Sequence, residues 1–401
     1  MFSTILITII LGIFSGIITG LIPGIHVNLI SLLVLSFSPL LLKITDPLTL
    51  AIYIISLALT HTFLDSLPGI YLGAPDAGTE LNVLPGHRLL LQGKGHNAVV
   101  YTVIGSLGSL IVGIVLFPVF IFSMAKIYPL VKDYIGYILI VIMVYMIFKD
   151  KDKRLKSLTI FLLAGSLGII IFSLPNLNQP LFPLLSGLFG FSILLLSLLE
   201  KSTIPPQDFS QPLSLSKKNM LKAVPAASGV GFIAAFLPGF GSSQAAIVAT
   251  NIVGDIGDEG FLTLVGGINT ANMLISIATA YILEKSRNGA ILTINKLLGK
   301  IDLKTVLIFL AVSLLVGGIA SILAIKISKV FSHYIVKVKY NLIIWTILIF
   351  ITLLTIYFDG YLGLLILSTA TALGLVASSW NVGKNHLMGC LILPVILYLI
   401  L

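Results

Sequence analysis

Apolar runs long enough to cross a lipid bilayer recur along the whole of this chain. They fall near 2–22, 28–42, 48–66, 99–122, 127–148, 157–174 and 179–199, and again near 223–237, 243–253, 261–283, 305–328, 340–357, 361–378 and 386–401. A span of the hydrocarbon core takes about 20 apolar residues as a helix. The runs are continuous rather than alternating, which excludes a membrane β-barrel. A hydrophobic content of 57% with only 10% charged residues leaves too little polar surface to cover a soluble domain of 401 residues. The fold class predicted is an all-α polytopic membrane protein.

The net charge of +9 has its simplest source in basic loops on the cytoplasmic side of a membrane, and no Lys/Arg cluster interleaves with aromatics as a nucleic-acid surface does. The single cysteine, Cys390, can form neither an internal disulfide nor a thiolate metal cluster. Met1-Phe2-Ser3-Thr4-Ile5-Leu6 has no basic n-region and reads as the start of the first membrane helix, not as a removed signal. No GxSxG, P-loop, HExxH or CxxC pattern occurs, so a soluble-enzyme site is not expected.

The longest polar stretch contains Pro205-Pro206 and Ser216-Lys217-Lys218. It divides the chain into a first membrane repeat over 1–199, a cytoplasmic linker over 200–222 and a second membrane repeat over 223–401. The two parts resemble each other. Gly16 and Pro23-Gly24 align with Gly231 and Pro238-Gly239 at one offset. Ser109-Leu110-Ile111-Val112-Gly113 aligns with Ser313-Leu314-Leu315-Val316-Gly317 at another. The basic loop Lys149 to Lys156 has an uncharged-to-acidic counterpart at Phe358-Asp359-Gly360, whereas Lys326 to Lys339 is richer in lysine than its counterpart near 123–134. That exchange fits halves of inverted topology, although the basic loop 285–304 then falls on the outside.

Within the repeats, Pro23-Gly24 and Pro238-Gly239 sit inside apolar runs. Proline removes a helix hydrogen bond and glycine permits unusual backbone angles, so each pair is expected to break a helix at membrane depth. A single such pair reads as a plain kink; two at matching positions read as a site. Lipid cannot satisfy the freed backbone, which must face protein or a water-filled cavity, and the helix that restarts aims its N–H groups there. The predicted substrate-binding residues are Pro23, Gly24, His26 and Asn28 in the first half. In the second they are Pro238, Gly239, Gly241, Ser242, Ser243 and Gln244, with Asn269, Asn272 and Arg287.

His61 and Asp65 lie one helical turn apart in an apolar run, and ionisable groups in such a place suggest a coupling ion or a proton relay. Asp76, Thr79 and Glu80, in a further Gly- and Pro-interrupted polar segment, complete the ion-coupling set. Asn269 and Asn272, three apart on one face, serve equally as ligands or as polar glue between helices.

At four of these places the chain resembles the large membrane subunit of the tripartite tricarboxylate transporters, the TctA-like family. They are Gly16 to Pro23-Gly24; Ala74 to Glu80 running into Pro85-Gly86-His87-Arg88 and Gln92-Gly93-Lys94-Gly95; Gly231 to Pro238-Gly239-Phe240-Gly241; and Gly267-Ile268-Asn269-Thr270-Ala271-Asn272. The chain is shorter than typical members. It has Leu264-Val265-Gly266 where an acidic residue is expected and Glu284-Lys285-Ser286-Arg287 where a Pro-Gly is expected. The resemblance implies ion-coupled uptake of small carboxylates, with a small membrane subunit and an extracytoplasmic binding protein as partners.

The expected function is therefore a secondary transporter of the cell membrane, moving a small organic anion by alternating access. No cofactor is expected beyond Na⁺ or H⁺ as coupling ion; a homodimer and contact with membrane lipid are further expectations. The alternative is a carrier for a phosphate-bearing lipid such as polyprenyl phosphate, with Arg88, Lys94 or Arg287 assisting the helix N-termini. An intramembrane enzyme has only His61 and Asp65 as a credible pair.

Overall fold

The computed structural model describes residues 2–401 apart from 23–26, 74–78, 150–152, 176, 200–203, 237–240, 285, 287 and 336–339. The described residues form helices and no strands. In the first half these are α1 (Phe2–Leu21), α2 (Val27–Ser36), α3 (Pro47–Leu72), α4 (Val83–Leu91), α5 (Gly95–Val115), α6 (Phe117–Phe148), α7 (Arg154–Ser173) and α8 (Leu181–Leu196). In the second they are α9 (Lys217–Phe236), α10 (Ser242–Val253), α11 (Gly257–Leu283), α12 (Gly289–Leu298), α13 (Leu303–Ile335), α14 (Tyr340–Ser379) and α15 (Gly389–Ile400).

Eight of the described helices hold a stretch long and apolar enough to cross a membrane: α1, α3, α5, α6, α7, α11, α13 and α14. Their outward faces are those of a protein bathed in lipid, with Leu6, Ile10 and Phe14 on α1 and Leu314, Leu315 and Ile322 on α13 exposed. The expectation of a span in every apolar run is corrected at 28–42. There α2 stops at Ser36, and Ser38-Pro39 opens a separate short turn, so the run holds no helix of membrane length. The long α14 is in fact two helices meeting at Gly360, whose φ of 58° no continuous helix allows.

The centre is built by close approach of small residues. Ser106 Oγ on α5 donates to the Gly266 carbonyl of α11 at 3.0 Å, and a Cβ on Gly105 would collide with the Thr263 carbonyl. Thr102 lies at Gly266, Gly105 at Thr263 and Gly267, and Gly113 at Leu274, so α5 and α11 run parallel. Likewise Gly12, Gly16 and Gly20 of α1 sit at Ser56, Thr60 and Leu64 of α3, and Ala227 and Gly231 of α9 sit at Gly267 and Ala271 of α11. In contrast α3 and α11 are antiparallel, with Thr62 at Thr270 and Asp65 at Asn269. So are α5 and α13, with Leu110 at Gly317 and His96 at Ser328.

The linker does more than join two halves. Gln207 Oε1 accepts from the Gly95 N–H at 2.8 Å and Gln207 Nε2 donates to the Leu90 carbonyl at 3.0 Å. Asp208 N–H bonds the Gly93 carbonyl, and Ser214 bonds both Tyr101 on α5 and Glu259 on α11. The segment thus lies extended across the starts of α5 and α11, capping the orphan N–H of Gly95.

Packing this close leaves no room for a side chain at Gly105. Gly105→Val is expected to force α5 from α11 and cost about 3 kcal/mol. Gly318→Ala, where an added Cβ meets nothing within 4 Å, should leave the melting midpoint in detergent unchanged.

Candidate functional site

Four helices begin part-way along the spanning helices rather than at their ends. α3 is bent at Asp65, which closes the first turn set and opens Ser66–Leu72, and Gly73 ends it in the left-handed conformation with φ 65°. The chain then returns, because Asn82, just before α4, donates to Ser66 Oγ at 3.3 Å and Gly86 lies against Ile70. In the second half α11 runs on to Leu283, yet Asn288, the cap of α12, reaches back to Met273. Asn288 Oδ1 accepts from Ile291 N–H at 2.9 Å, a side-chain N-cap of the usual kind.

The other two starts follow the interruptions between α1 and α2 and between α9 and α10. α1 ends at Leu21, one residue past the Gly20–Leu64 contact with α3, and α2 starts at Val27. α9 ends at Phe236, little more than a turn past its contact with Ala271, and α10 returns until the Val253 carbonyl meets Lys222 Nζ at 3.3 Å near the start of α9. Asn28 Oδ1 accepts from the Gly289 N–H at 2.9 Å, tying the start of α2 to that of α12. The N-termini of α2, α4, α10 and α12 begin inside the helical layer, each with roughly half a positive charge from its dipole, and at α12 the N–H groups of Gly289 and Ile291 are taken by Asn28 and Asn288.

At the bend of α3 lies a buried polar knot. Asp65 and His61 are each 3% exposed. Asn269 Nδ2 donates to Asp65 Oδ2 at 2.6 Å, and His61 Nε2 lies 3.9 Å from the same oxygen. His61 Nδ1 is 3.1 Å from Thr19 Oγ1 on α1. Ser66 Oγ is 3.5 Å from the other carboxylate oxygen, Oδ1. Thr62 and Thr270 meet at 3.2 Å one turn away. A carboxylate buried in apolar surroundings persists only with such donors around it, and this one is shared by both halves of the chain.

Of the predicted residues, the structure brings together His61, Asp65 and Asn269, and it places Asn28 at the α2–α12 junction. Gly241 and the buried Ser242 open α10, whose first-turn N–H of Ala245 bonds the Gly241 carbonyl. Thr79 is fully buried in the approach to α4, and Asn272 is half-buried on α11. Pro23, Gly24, His26, Asp76, Pro238, Gly239 and Arg287 lie outside the described residues, as do the side chains of Glu80, Ser243 and Gln244. Arg88 is accounted for otherwise, paired with Asp258 at 3.3 Å on the exposed face.

Sequence reasoning missed Thr19, Ser66 and Asn82. Asn82 has the one local signal that could have marked it, an amide residue immediately before an apolar turn containing Pro85. It also missed Lys384, in the turn between α14 and α15. Lys384 Nζ donates to Ser192 Oγ at 2.9 Å, and burial pulls its ammonium down to about 7. Among the described residues no three His, Cys, Asp or Glu side chains come together as a metal cluster.

With this arrangement in view, the chain was compared with known proteins. Residues 6–389 match the Tripartite tricarboxylate transporter TctA family. The chain belongs to this family. It is a family of transporters, not of enzymes, and the eight apolar helices make this member a multi-pass membrane protein. An uncharacterized protein, MJ1079, of Methanocaldococcus jannaschii is 31% identical over 402 residues, covering 98% of each chain. This TctA-family protein and that relative thus share their length. No solved structure matches.

A double-mutant cycle tests the knot. Asp65→Ala and Asn269→Ala should couple by about 2 kcal/mol in thermal unfolding, the value of a buried hydrogen bond to a charged group. Coupling near zero would mean that the two halves do not meet at this pair.

Proposed function

We propose that this TctA-family protein is the permease of an ion-coupled uptake system for small carboxylates in the cell membrane, working by alternating access. The observation that carries the reading is the buried Asp65–Asn269 pair with two interrupted helices starting beside it, α4 at Ser66 and α12 at Met273, the latter tied to the start of α2 through Asn28. Oriented N–H groups in a low-dielectric interior suit an anion without requiring a fixed cation, and substrate sites between discontinuous helices near the midplane are the pattern of secondary transporters. Asn28, Gly241, Ser242 and Asn272 are the described residues assigned to the substrate, with Pro23, Gly24, His26, Pro238, Gly239, Ser243, Gln244 and Arg287 completing the tips. His61, Asp65, Asp76, Thr79 and Glu80 are assigned to the coupling ion, Na⁺ or H⁺.

The running directions support an inverted repeat. α3 opposes its counterpart α11, and α5 opposes α13. α2 and α12 run to one face, α4 and α10 to the other, so movement of one pair against α3 and α11 opens the centre to alternate sides. The linker and the starts of the helices it crosses carry Arg88, Lys94, Lys217 and Lys218, and by the positive-inside rule we take this face as the cytoplasmic one. A small membrane subunit and an extracytoplasmic binding protein fit the family as partners. No observation favours the phosphate-bearing lipid as cargo.

The reading is tested in proteoliposomes, with the two partners added if they are needed for delivery. Radiolabelled citrate should accumulate saturably under an inward Na⁺ or proton gradient and leak out when an ionophore collapses it. Asn28→Ala, which unties α2 from α12, is expected to lower the initial rate about tenfold, the equivalent of one lost hydrogen bond. Absence of gradient-driven uptake of citrate and of shorter di- and monocarboxylates would end the proposal. So would an unchanged rate in a variant lacking both His61 and Asp65 side chains, for the ion-coupling part of it.

A further inference from the structure

Between α6 and the α9–α10 hairpin the packing leaves a groove of about 570 Å³. Val131 and Ile138 of α6 line one side, Ala226, Gly229 and Ile233 of α9 the other, and Ile252 of α10 adds to it. Every residue that lines it is apolar. A Cβ added at Gly229 would meet nothing within 4 Å, so the open space reaches the α9 backbone itself. Elsewhere the same two helices do close up, where Phe120 of α6 stacks on Phe232 of α9 with ring centroids 4.7 Å apart.

Ala226, Gly229 and Ile233 recur at helical spacing and share one face of α9. Lys222 and Lys218 continue that face, one and two turns before Ala226. Lys222 Nζ donates to the Val253 carbonyl at 3.3 Å, which sets the ammonium next to Ile252 of the groove. Both lysines are exposed, and no ion pair joins either to an acidic side chain among the described residues. Asp255, close by in the chain, accepts from the Gly257 N–H instead. Lys217 and Lys218 open α9 with no acidic residue in its first turn, an order that the helix dipole disfavours. The helix itself gains nothing from these charges.

We infer that the groove seats one chain of an anionic phospholipid, with the lipid phosphate at Lys218 and Lys222. The depth fits one leaflet. At about 1.5 Å of rise per residue, Ile233 lies about 16 Å along α9 from Lys222, close to half of a hydrocarbon core of about 30 Å. α9 then ends at Phe236. A spanning helix of a partner subunit would need a wall twice as deep. A chain that leaves bulk lipid for the groove gains packing but no hydrophobic free energy, because lipid is as apolar as the lining. Selectivity therefore comes from the headgroup, and paired lysines at the membrane surface favour a net negative one. The lipid is resident and not cargo, since no polar side chain lines the groove to draw a headgroup inward. Touching α9 and α10 together, it braces the hairpin whose second arm opens at Ser242. The site is separate from the Asp65 knot, and the inference does not rest on the transport reading.

The test uses the full-length protein purified in a nonionic detergent and equilibrated with equal amounts of phosphatidylglycerol and phosphatidylcholine. Native mass spectrometry should show one phosphatidylglycerol retained in preference to phosphatidylcholine. Replacing both lysines, Lys218→Gln with Lys222→Gln, should lower that preference about thirtyfold. Gly229→Leu fills the groove without meeting protein atoms, so it should abolish retention and keep the melting midpoint of the lipid-free protein. If Gly229→Leu does not yield a monodisperse protein, the lysine pair, exposed at the surface, decides alone. Equal retention of the two lipids by the native protein would overturn the site. So would phosphatidylglycerol retained as well by the lysine variant and by Gly229→Leu as by the native chain. A photoreactive group on Gly229→Cys that cross-links in the cell membrane to a polypeptide, and not to lipid, would overturn it in favour of a partner subunit.

Discussion

A helix broken inside a membrane has to find partners for its freed backbone groups within the protein, because lipid offers none. Much of this structure follows from that requirement. The four helices that start part-way through the layer are each backed by a spanning helix: α2 and α12 by α3 and by each other, α4 by Ser66–Leu72 and α5, and α10 by α11 together with α9. Side-chain amides then take the first N–H groups, Asn28 at Gly289 and Asn288 at Ile291. Where the linker crosses the start of α5 the same rule operates at the layer's rim, with Gln207 at Gly95. The polar residues of the interior are placed where backbone is short of partners.

The spanning helices can only back these starts if they come close together, and that is the work of glycine and serine. Between α5 and α11 the contact at Gly105, Ser106, Gly266 and Gly267 brings backbone against backbone. Without a hydrophobic driving force between helices in lipid, such packing and the few hydrogen bonds across it carry association. Asp65–Asn269 at 2.6 Å is a short bond to a carboxylate, and it ties α3 of the first half to α11 of the second. The approach to α4 reaches Ser66 beside the same pair, and the cap of α12 reaches Met273 one turn along α11. Scaffold and candidate site therefore share an interaction, and the stability of one is bound to the chemistry of the other.

How much of this could be read from residues in order varies with range. Apolar runs marked the spanning helices, because that signal is local, while Pro23-Gly24 and Pro238-Gly239 lie outside the described residues, between α1 and α2 and between α9 and α10. His61 and Asp65 were legible from one turn of helical spacing. The run 28–42 misled, since hydropathy alone does not see that Phe37-Ser38-Pro39 ends α2 early. The partner of Asp65 stands 204 positions away, and no spacing rule connects them. Asn82 was passed over for a similar reason. Its importance comes from Ser66 lying beside it after the chain reverses, which sequence distance conceals. The linker's composition read as a plain joint; its docking depends on Leu90, Gly93 and Gly95 being at hand.

In the proposed reading the seating of α4 beside Asp65 bears on coupling. A ligand shifts a conformational equilibrium only by its difference in affinity between states. Asn82, just before α4, donates to Ser66 Oγ next to Asp65, while Asp65 Oδ2 ties α3 to α11. A coupling ion at His61 and Asp65 therefore meets a different surrounding when α4 moves relative to α3 and the α3–α11 contact holds. An anion held by the starts of α2, α4, α10 and α12 feels the same movement through the α4 N-terminus. Each ligand then favours the arrangement in which α4 is seated against Ser66, and by linkage the binding of either strengthens the other. No long pathway is needed, because both ligands act on one helix start.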